Sequence, residues 1–212
     1  MTFRIDHDTA TGTFSLDGEV HEVENNLWVL GDDSSCVVID APHDIDAIAR
    51  LVGEREVLAL LLTHGHDDHV RFAPELAERF EAAMLLHPDD APLWELTHGD
   101  LEWDEDLQHG SRFTLGEREI WTLHTPGHSP GSVCFLLKNP GDPDAPDEVF
   151  TGDTLFQGGP GATGRSFSDR GLIEDSIRER LFSLPDDTIV HTGHGPDTSI
   201  GEEKARAAGD WA

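Results

Sequence analysis

Apolar positions along the chain fall into short blocks separated by turn-forming residues. Residues 27–30 and 36–39 are continuous apolar runs, and Gly31, Asp32, Asp33, Ser34 and Ser35 between them have turn chemistry. This predicts a hairpin that ends at Asp40-Ala41-Pro42. Ile45, Ile48, Ala49 and Val52 then recur at helical spacing up to Gly53. Residues 57–62 read as a buried strand bounded by Thr63, followed by a helix over 74–80, a strand over 84–86 and a helix over 88–96. Further strands are predicted at 120–124, 132–137, 148–151 and 188–191, with a helix over 172–184. Residues 139–147, rich in Pro and Asp, read as an acidic surface loop, and 157–171 as a Gly-rich structureless stretch. There is no internal repeat. Strands come first, then strands mixed with helices, in two similar halves, which predicts a layered α/β (α+β) fold with helices covering packed sheets.

The chemistry concentrates where apolar strands end. His64-Gly65-His66-Asp67-Asp68-His69 directly follows the strand at 57–62. Three imidazoles and two carboxylates in six residues form a dense donor set, and both donor types suit borderline divalent metals. On a helix His64 and His66 would point to different faces, whereas a tight loop with Gly65 lets them converge. A charged surface turn would account for one such motif standing alone. Here His128, Asp153 and His194 follow, each at the end of an apolar strand and each directly after a glycine. Seven ligands drawn from these eight donors make two sites with open positions. A closed structural metal site is the competing reading, and the surplus carboxylates argue against it.

In these four ordered motifs the chain resembles the metallo-β-lactamase-fold hydrolase superfamily, and is most similar to its small glyoxalase II-like (hydroxyacylglutathione hydrolase-like) members, from about Leu27 to Pro196. The resemblance implies a four-layer αββα sandwich formed by a single domain over residues 1–212. It implies a first metal on His64, His66 and His128, a second on Asp68, His69 and His194, and Asp153 as the bridge between them. The cofactors implied are two divalent ions, zinc first, with iron or manganese as alternatives. Two such ions share a hydroxide and polarise a carbonyl, with Asp68 orienting the hydroxide as the catalytic residue. A thiolate leaving group needs little protonation, so the expected reaction is hydrolysis of a thioester of a low-molecular-weight thiol.

Two local motifs compete with this reading. Gly127-His128-Ser129-Pro130-Gly131 matches a nucleophile elbow, but such an elbow must open a helix and a strand is predicted next. Gly159 to Gly164 matches a dinucleotide-binding pattern, without the following apolar helix. It reads as a loop beside the metals, and the Arg165 that follows is the candidate substrate-binding residue, suited to pair with a carboxylate. Small glyoxalase II-like proteins carry a Gly-Arg here, matched by Gly164-Arg165; a surface salt bridge is the alternative for this arginine. His124 and His191 are candidates to support the ligand loops.

Charge narrows the partners. The formal net charge is −29, and a surface so negative repels phosphate backbones and anionic lipid, so neither nucleic acid nor membrane is an expected partner. The expected partner is a small-molecule thioester or related acyl substrate, and the expected state a monomer or small homo-oligomer. Cys36 and Cys134 sit apart in apolar runs and read as buried reduced thiols, and no apolar segment follows Met1, so a cytoplasmic location is expected. Only residues 195–212 follow His194, so the C-terminal helical domain of full-length glyoxalase II is expected to be missing. With no tyrosine and only Lys138 and Lys204 as lysines, the usual contacts to glutathione do not transfer. An S-acyl or S-formyl conjugate of another thiol, such as mycothiol, is an equal expectation. The alternatives are a lactonase of the same fold, a mono-iron persulfide dioxygenase, and, outside enzymes, a metal-binding scaffold. A β-lactamase is disfavoured by His69 after Asp68 and by Asp153.

Overall fold

The computed structural model describes residues 3–139 and 145–209, so residues 140–144 of the expected acidic loop lie outside the described residues. The chain divides into two compact units, Met1–Leu107 and Gln108–Ala212.

The first unit carries a six-stranded sheet in the order β1-β2-β3-β4-β5-β6. Its elements are β1 (Arg4–Leu16), β2 (Glu19–Gly31), β3 (Ser35–Ile39), α1 (Ile45–Val52), β4 (Glu56–Leu61), α2 (Asp67–Val70), α3 (Ala73–Phe80), β5 (Ala83–Leu86), α4 (Ala91–His98) and β6 (Glu105–Asp106). The expected hairpin is the β2–β3 pair, with Trp28 opposite Ile39. From β3 onward the strands are parallel. Helix α1 begins where the Asp44 side chain accepts from the Ala47 N–H and stops at Gly53, whose φ is 66°. Its Ala47, Ile48 and Val52 pack on Cys36, Val38 and Leu60, together with Leu76 of α3 and Trp94 of α4. The alternate positions Val37, Ile39 and Leu61 are buried too, which is why these strands read as unbroken apolar runs.

The second unit has a sheet ordered β14-β13-β10-β9-β8-β7 and a separate two-stranded piece. Its elements are β7 (Arg112–Leu115), β8 (Arg118–His124), β9 (Val133–Lys138), β10 (Glu148–Phe150), β11 (Leu155–Phe156), β12 (Gly159–Pro160), α5 (Arg170–Ser176), β13 (Ile189–His191), β14 (Thr198–Ser199) and α6 (Ile200–Ala207). Helix α5 continues as a wider π turn over Ile177–Leu181. Ile173, Ile177, Leu181 and Ile200 cover Cys134, Leu136, Val149 and Val190 of the sheet.

The stretch 157–171 is irregular over most of its length, as expected, with no strand or helix over 161–169, but its two ends are ordered. Gly159–Pro160 pairs with Leu155–Phe156, and α5 starts at Arg170. Glycine hides this from a hydrophobicity pattern, because β12 has no side-chain signature. The two thiols are buried and free, as expected, and burial pushes each up to about 11. Among the described residues no helix is long and apolar enough to cross a membrane.

Candidate metal centre

In each unit the donors stand on loops at one edge of a sheet, for a topological reason. β3, β4 and β5 are parallel, so their C-terminal ends open together at Asp40, at Thr63 to His69 and at His87 to Asp90. In the second unit β8 and β10 are each antiparallel to β9, and β10 is parallel to β13. Strands β8, β10 and β13 therefore run the same way and deliver His128, Asp153 and His194 to one edge.

The first set begins on a loop and ends on a helical turn. His66 is the N-cap of α2, so Asp68 and His69 are presented by a single turn. Gly65 makes the bend by close approach: a Cβ there would stand 2.9 Å from Leu93 Cβ and 3.1 Å from the Asp90 carbonyl oxygen. Asp90 is fully buried and its Oδ2 accepts from the Gly65 N–H at 2.7 Å. The His64 ring lies 4.8 Å from that of His66 and 4.1 Å from that of His69. Asp67, the other aspartate of the motif, serves as a tether. It accepts from the Ser15 N–H and pairs with Arg71, which also reaches Thr13, so the tip of β1 is fastened to α2. Phe14 of that tip stacks edge-on against His66.

Asp40 organises this set, and sequence reading passed over it as the end of a hairpin. It is buried, with φ at 59°. Its Oδ1 accepts from the Thr63 N–H at 2.7 Å, and its Oδ2 from Thr63 Oγ1 and His69 Nδ1, each at 2.8 Å. Thr63 Oγ1, having donated to Asp40, accepts from His64 Nδ1 at 3.0 Å. One carboxylate thus fixes His64 and His69 in the tautomer that carries its proton on Nδ1, and leaves Nε2 as the basic atom of each ring. The signal available in the sequence was its place: Asp40 closes an apolar strand, as Asp153 does.

The second set rests on interlocked loops. The turn at 125–131 lies against α5, where Ser176 Oγ donates to the Pro126 carbonyl and the Asp169 N–H to the Gly127 carbonyl. Gly127 is obligatory: its φ is 134° and a Cβ would fall 2.2 Å from the Ile173 nitrogen. His128 Nδ1 donates to the Ala162 carbonyl at 2.9 Å, which directs Nε2 toward Asp153. A Cβ on Gly161 would fall 1.8 Å from the Asp153 carbonyl oxygen, so this glycine of the 159–164 pattern serves close backbone packing against the Asp153 loop. The Gly193 N–H donates to the Gly152 carbonyl, tying the His194 loop to the Asp153 loop.

Donor spacing fits divalent ions. Asp153 Oδ2 lies 3.6 Å from His128 Nε2 and 3.5 Å from His194 Nε2, and Asp68 Oδ2 lies 3.6 Å from His69 Nε2. These separations exceed the hydrogen-bond range of about 2.7–3.2 Å. Donors sharing a tetrahedral ion at about 2.0–2.1 Å stand about 3.4 Å apart. An all-imidazole and carboxylate set with proton-bearing Nδ1 atoms suits zinc, iron or manganese.

The remaining candidates divide. Ser129 Oγ is buried 2.7 Å from Ser132 Oγ, and the strand β9 follows, so no nucleophile elbow forms. His124 donates to the Pro130 carbonyl and steadies the 125–131 turn. His191 stacks on Phe150 with Asp197 at Nδ1 and Glu148 at Nε2. Burial opposes its charged form, yet the bonds to Asp197 and Glu148 outweigh this and raise its pKa. Arg165 is half-buried in a turn where Ser168 Oγ donates to its carbonyl.

Comparison with known proteins agrees with this geometry. Residues 22–194 match the family model of the metallo-beta-lactamase superfamily. A probable metallo-hydrolase YqgX of Bacillus subtilis (strain 168) is 32% identical over 197 residues, covering 85% of this chain and 90% of the relative. The hydroxyacylglutathione hydrolase GloC of Haemophilus influenzae (strain ATCC 51907 / DSM 11121 / KW20 / Rd) is 32% identical over 198 residues, covering 85% and 90%. The crystal structure of TTHA1623 in a di-iron-bound form superposes with a TM-score of 0.74 at 33% identity, covering 87% of this chain and 93% of that one. The crystal structure of BLEG-1 B3 metallo-beta-lactamase gives 0.75 at 29% identity, covering 92% and 97%. Two α/β units, a His/Asp donor cluster and these relatives agree: the chain belongs to the metallo-beta-lactamase superfamily and is a metallo-hydrolase of that fold.

Proposed function

We propose that the protein is a binuclear thioester hydrolase of the glyoxalase II type, acting on an S-acyl or S-formyl conjugate of a low-molecular-weight thiol. In this reading His64, His66 and His128 would hold a first ion and Asp68, His69 and His194 a second, with Asp153 a donor available to both. The observation that carries it is the tautomer control in both sets. Asp40, through Thr63 for His64, and the Ala162 carbonyl take the Nδ1 protons of His64, His69 and His128, which supports Nε2 as the atom each would offer an ion. When bound, the ions supply Lewis acidity toward an acyl oxygen and lower the pKa of water to about 7. Asp68 accepts a hydrogen bond from the attacking water and orients it. Arg165 pairs with a carboxylate of the substrate. Departure of a thiolate asks for no strong general acid. The 32% identity to a protein named hydroxyacylglutathione hydrolase supports the thioester class. The absence of tyrosine in the sequence turns the choice of thiol away from the usual glutathione contacts.

A second reading, β-lactam hydrolysis, is favoured by the 29% identity to BLEG-1. One panel separates the two. Metal-replete protein is given lactoyl and formyl conjugates of several low-mass thiols, a lactone and a chromogenic cephalosporin, with Asp68→Ala as control. Thiol release that disappears in the control supports the thioesterase, and the ranking of conjugates names the thiol. Cephalosporin or lactone turnover without thiol release refutes it. A protein that binds metal and turns over none of these substrates refutes it too, and oxygen uptake with a persulfide then separates the dioxygenase from the scaffold.

A further inference from the structure

Behind Asp68 lies a pair of residues that the metal motif does not include. Asn25 on β2 is buried, and its Nδ2 donates both to the main-chain oxygen of Asp68 at 3.1 Å and to Asp68 Oδ2 at 3.2 Å. Two acceptors on one side fix the amide, so its Oδ1 faces the other way. There it meets His43 Nε2 at 2.9 Å. An amide oxygen only accepts, so His43 carries its proton on Nε2. Its Nδ1 is buried and has no hydrogen-bond partner among the described residues, as expected of a bare acceptor in a neutral ring. Burial lowers the His43 pKa, although the Asp68 charge works in the opposite sense. The ring is seated by Gly12 of β1, where a Cβ would fall 2.1 Å from His43 Cγ.

We propose that His43 and Asn25 are a positioning pair: neutral His43 orients the Asn25 amide, and Asn25 in turn fixes the Asp68 carboxylate for ion and water. The pair touches neither metal nor substrate. Its strongest contacts are to one carboxylate oxygen and the main-chain oxygen of Asp68, with a longer approach of 3.4 Å to His69 Nε2, so it sets the direction of Asp68 and leaves substrate affinity alone. The inference rests on the role of Asp68 proposed above.

The test uses the full chain in three arms. In the first, His43→Phe keeps the ring and removes the donor, and His43→Gln restores a donor. Outer partners of metal ligands are worth about 10–100-fold, so kcat per metal-loaded site falls by about that factor in His43→Phe with KM unchanged, and His43→Gln recovers most of it. In the second, zinc is titrated into metal-stripped protein against a chromophoric chelator, and the weaker of two binding steps loosens by a similar factor in His43→Phe. In the third, long-range proton–nitrogen NMR of the unmodified zinc-loaded protein at pH 7 finds the His43 proton on Nε2. Parent values of kcat and zinc affinity in His43→Phe, a lower melting temperature being its only change, overturn the proposal; so does a proton on Nδ1. If His43→Phe does not fold, His43→Gln and the NMR arm decide. If the parent hydrolyses no thioester, the proposed function fails while the zinc and NMR arms still judge the pair.

Discussion

Replacing Asp40 by asparagine isolates the group on which the first donor set depends. The substitution keeps shape and removes charge and one acceptor. The main-chain N–H of Thr63 points at Oδ1, so the amide oxygen of Asp40→Asn settles there and its NH2 takes the place of Oδ2. That NH2 then faces Thr63 Oγ1 and His69 Nδ1, both of which donate to Oδ2 in the parent. Two hydrogen bonds to a buried charge are lost, each worth about 1.5–3 kcal/mol, and partial rotation of Thr63 recovers some of this. A net loss of about 3 kcal/mol lowers Tm by about 6–12 °C for a chain of this size. The His69 ring relieves the clash by moving its proton to Nε2, the atom proposed to bind metal. Affinity for the ion that His69 serves falls by about 10–100-fold. Differential scanning calorimetry of the metal-free protein reads the first effect, and a competitive chelator titration reads the second. An Asp40→Asn protein that keeps the parent Tm within about 1 °C and binds both ions as tightly as the parent would refute the tautomer argument.

Other consequences are open to simple assays. With a net charge of −29, surface repulsion is a standing cost to the folded state. Screening shortens to about 3 Å in 1 M salt, so Tm measured by dye fluorescence rises between 0.05 and 1 M NaCl; a flat or falling Tm contradicts this. Cys36 and Cys134, held up to about 11 by burial, react with an aromatic disulfide reagent at pH 8 only on unfolding, and prompt reaction of either thiol in the native protein counts against their placement. The folded pKa of His191 is raised, so its stabilising contribution is complete below the unfolded value of about 6.5 and disappears as pH rises through the folded value. Urea titrations from pH 5.5 to 8.5 should find that slope reduced in His191→Gln, and an unchanged slope places the titration elsewhere.

Legibility from sequence followed how each element declares itself. Helix α1 was readable to its last residue, because Ile45, Ile48 and Val52 form one apolar stripe and Gly53 ends it. β9 was readable because both of its faces are buried, and β4 because its run is apolar throughout 57–61, although Leu58 is exposed. β1 was legible only as part of a stretch of strands and turns, without bounds: over thirteen residues only Ala10, Phe14 and Leu16 are buried, and apart from Ile5 and Gly12 the rest of the strand is polar. β12 is a glycine and a proline, and β14 a threonine and a serine, so only pairing defines them. At the centre, donor residues announce themselves by type and by crowding, whereas their supports do not. Asp40, Asn25 and the Ala162 carbonyl act through hydrogen bonds to residues far along the chain, and nothing local distinguishes them. Asp67 illustrates the converse, since it sits inside the donor motif and ties down β1 instead.

The most direct test of the central claim is the number of metal ions per chain, measured by mass spectrometry on gel-filtered protein alongside thioester turnover. The account predicts two ions in the parent. It predicts loss of an ion and of turnover in His64→Ala, from the first donor set, and equally in His194→Ala, from the second. One ion in the parent, or two ions and full turnover retained in either variant, would contradict the claim that the two sets serve one binuclear centre.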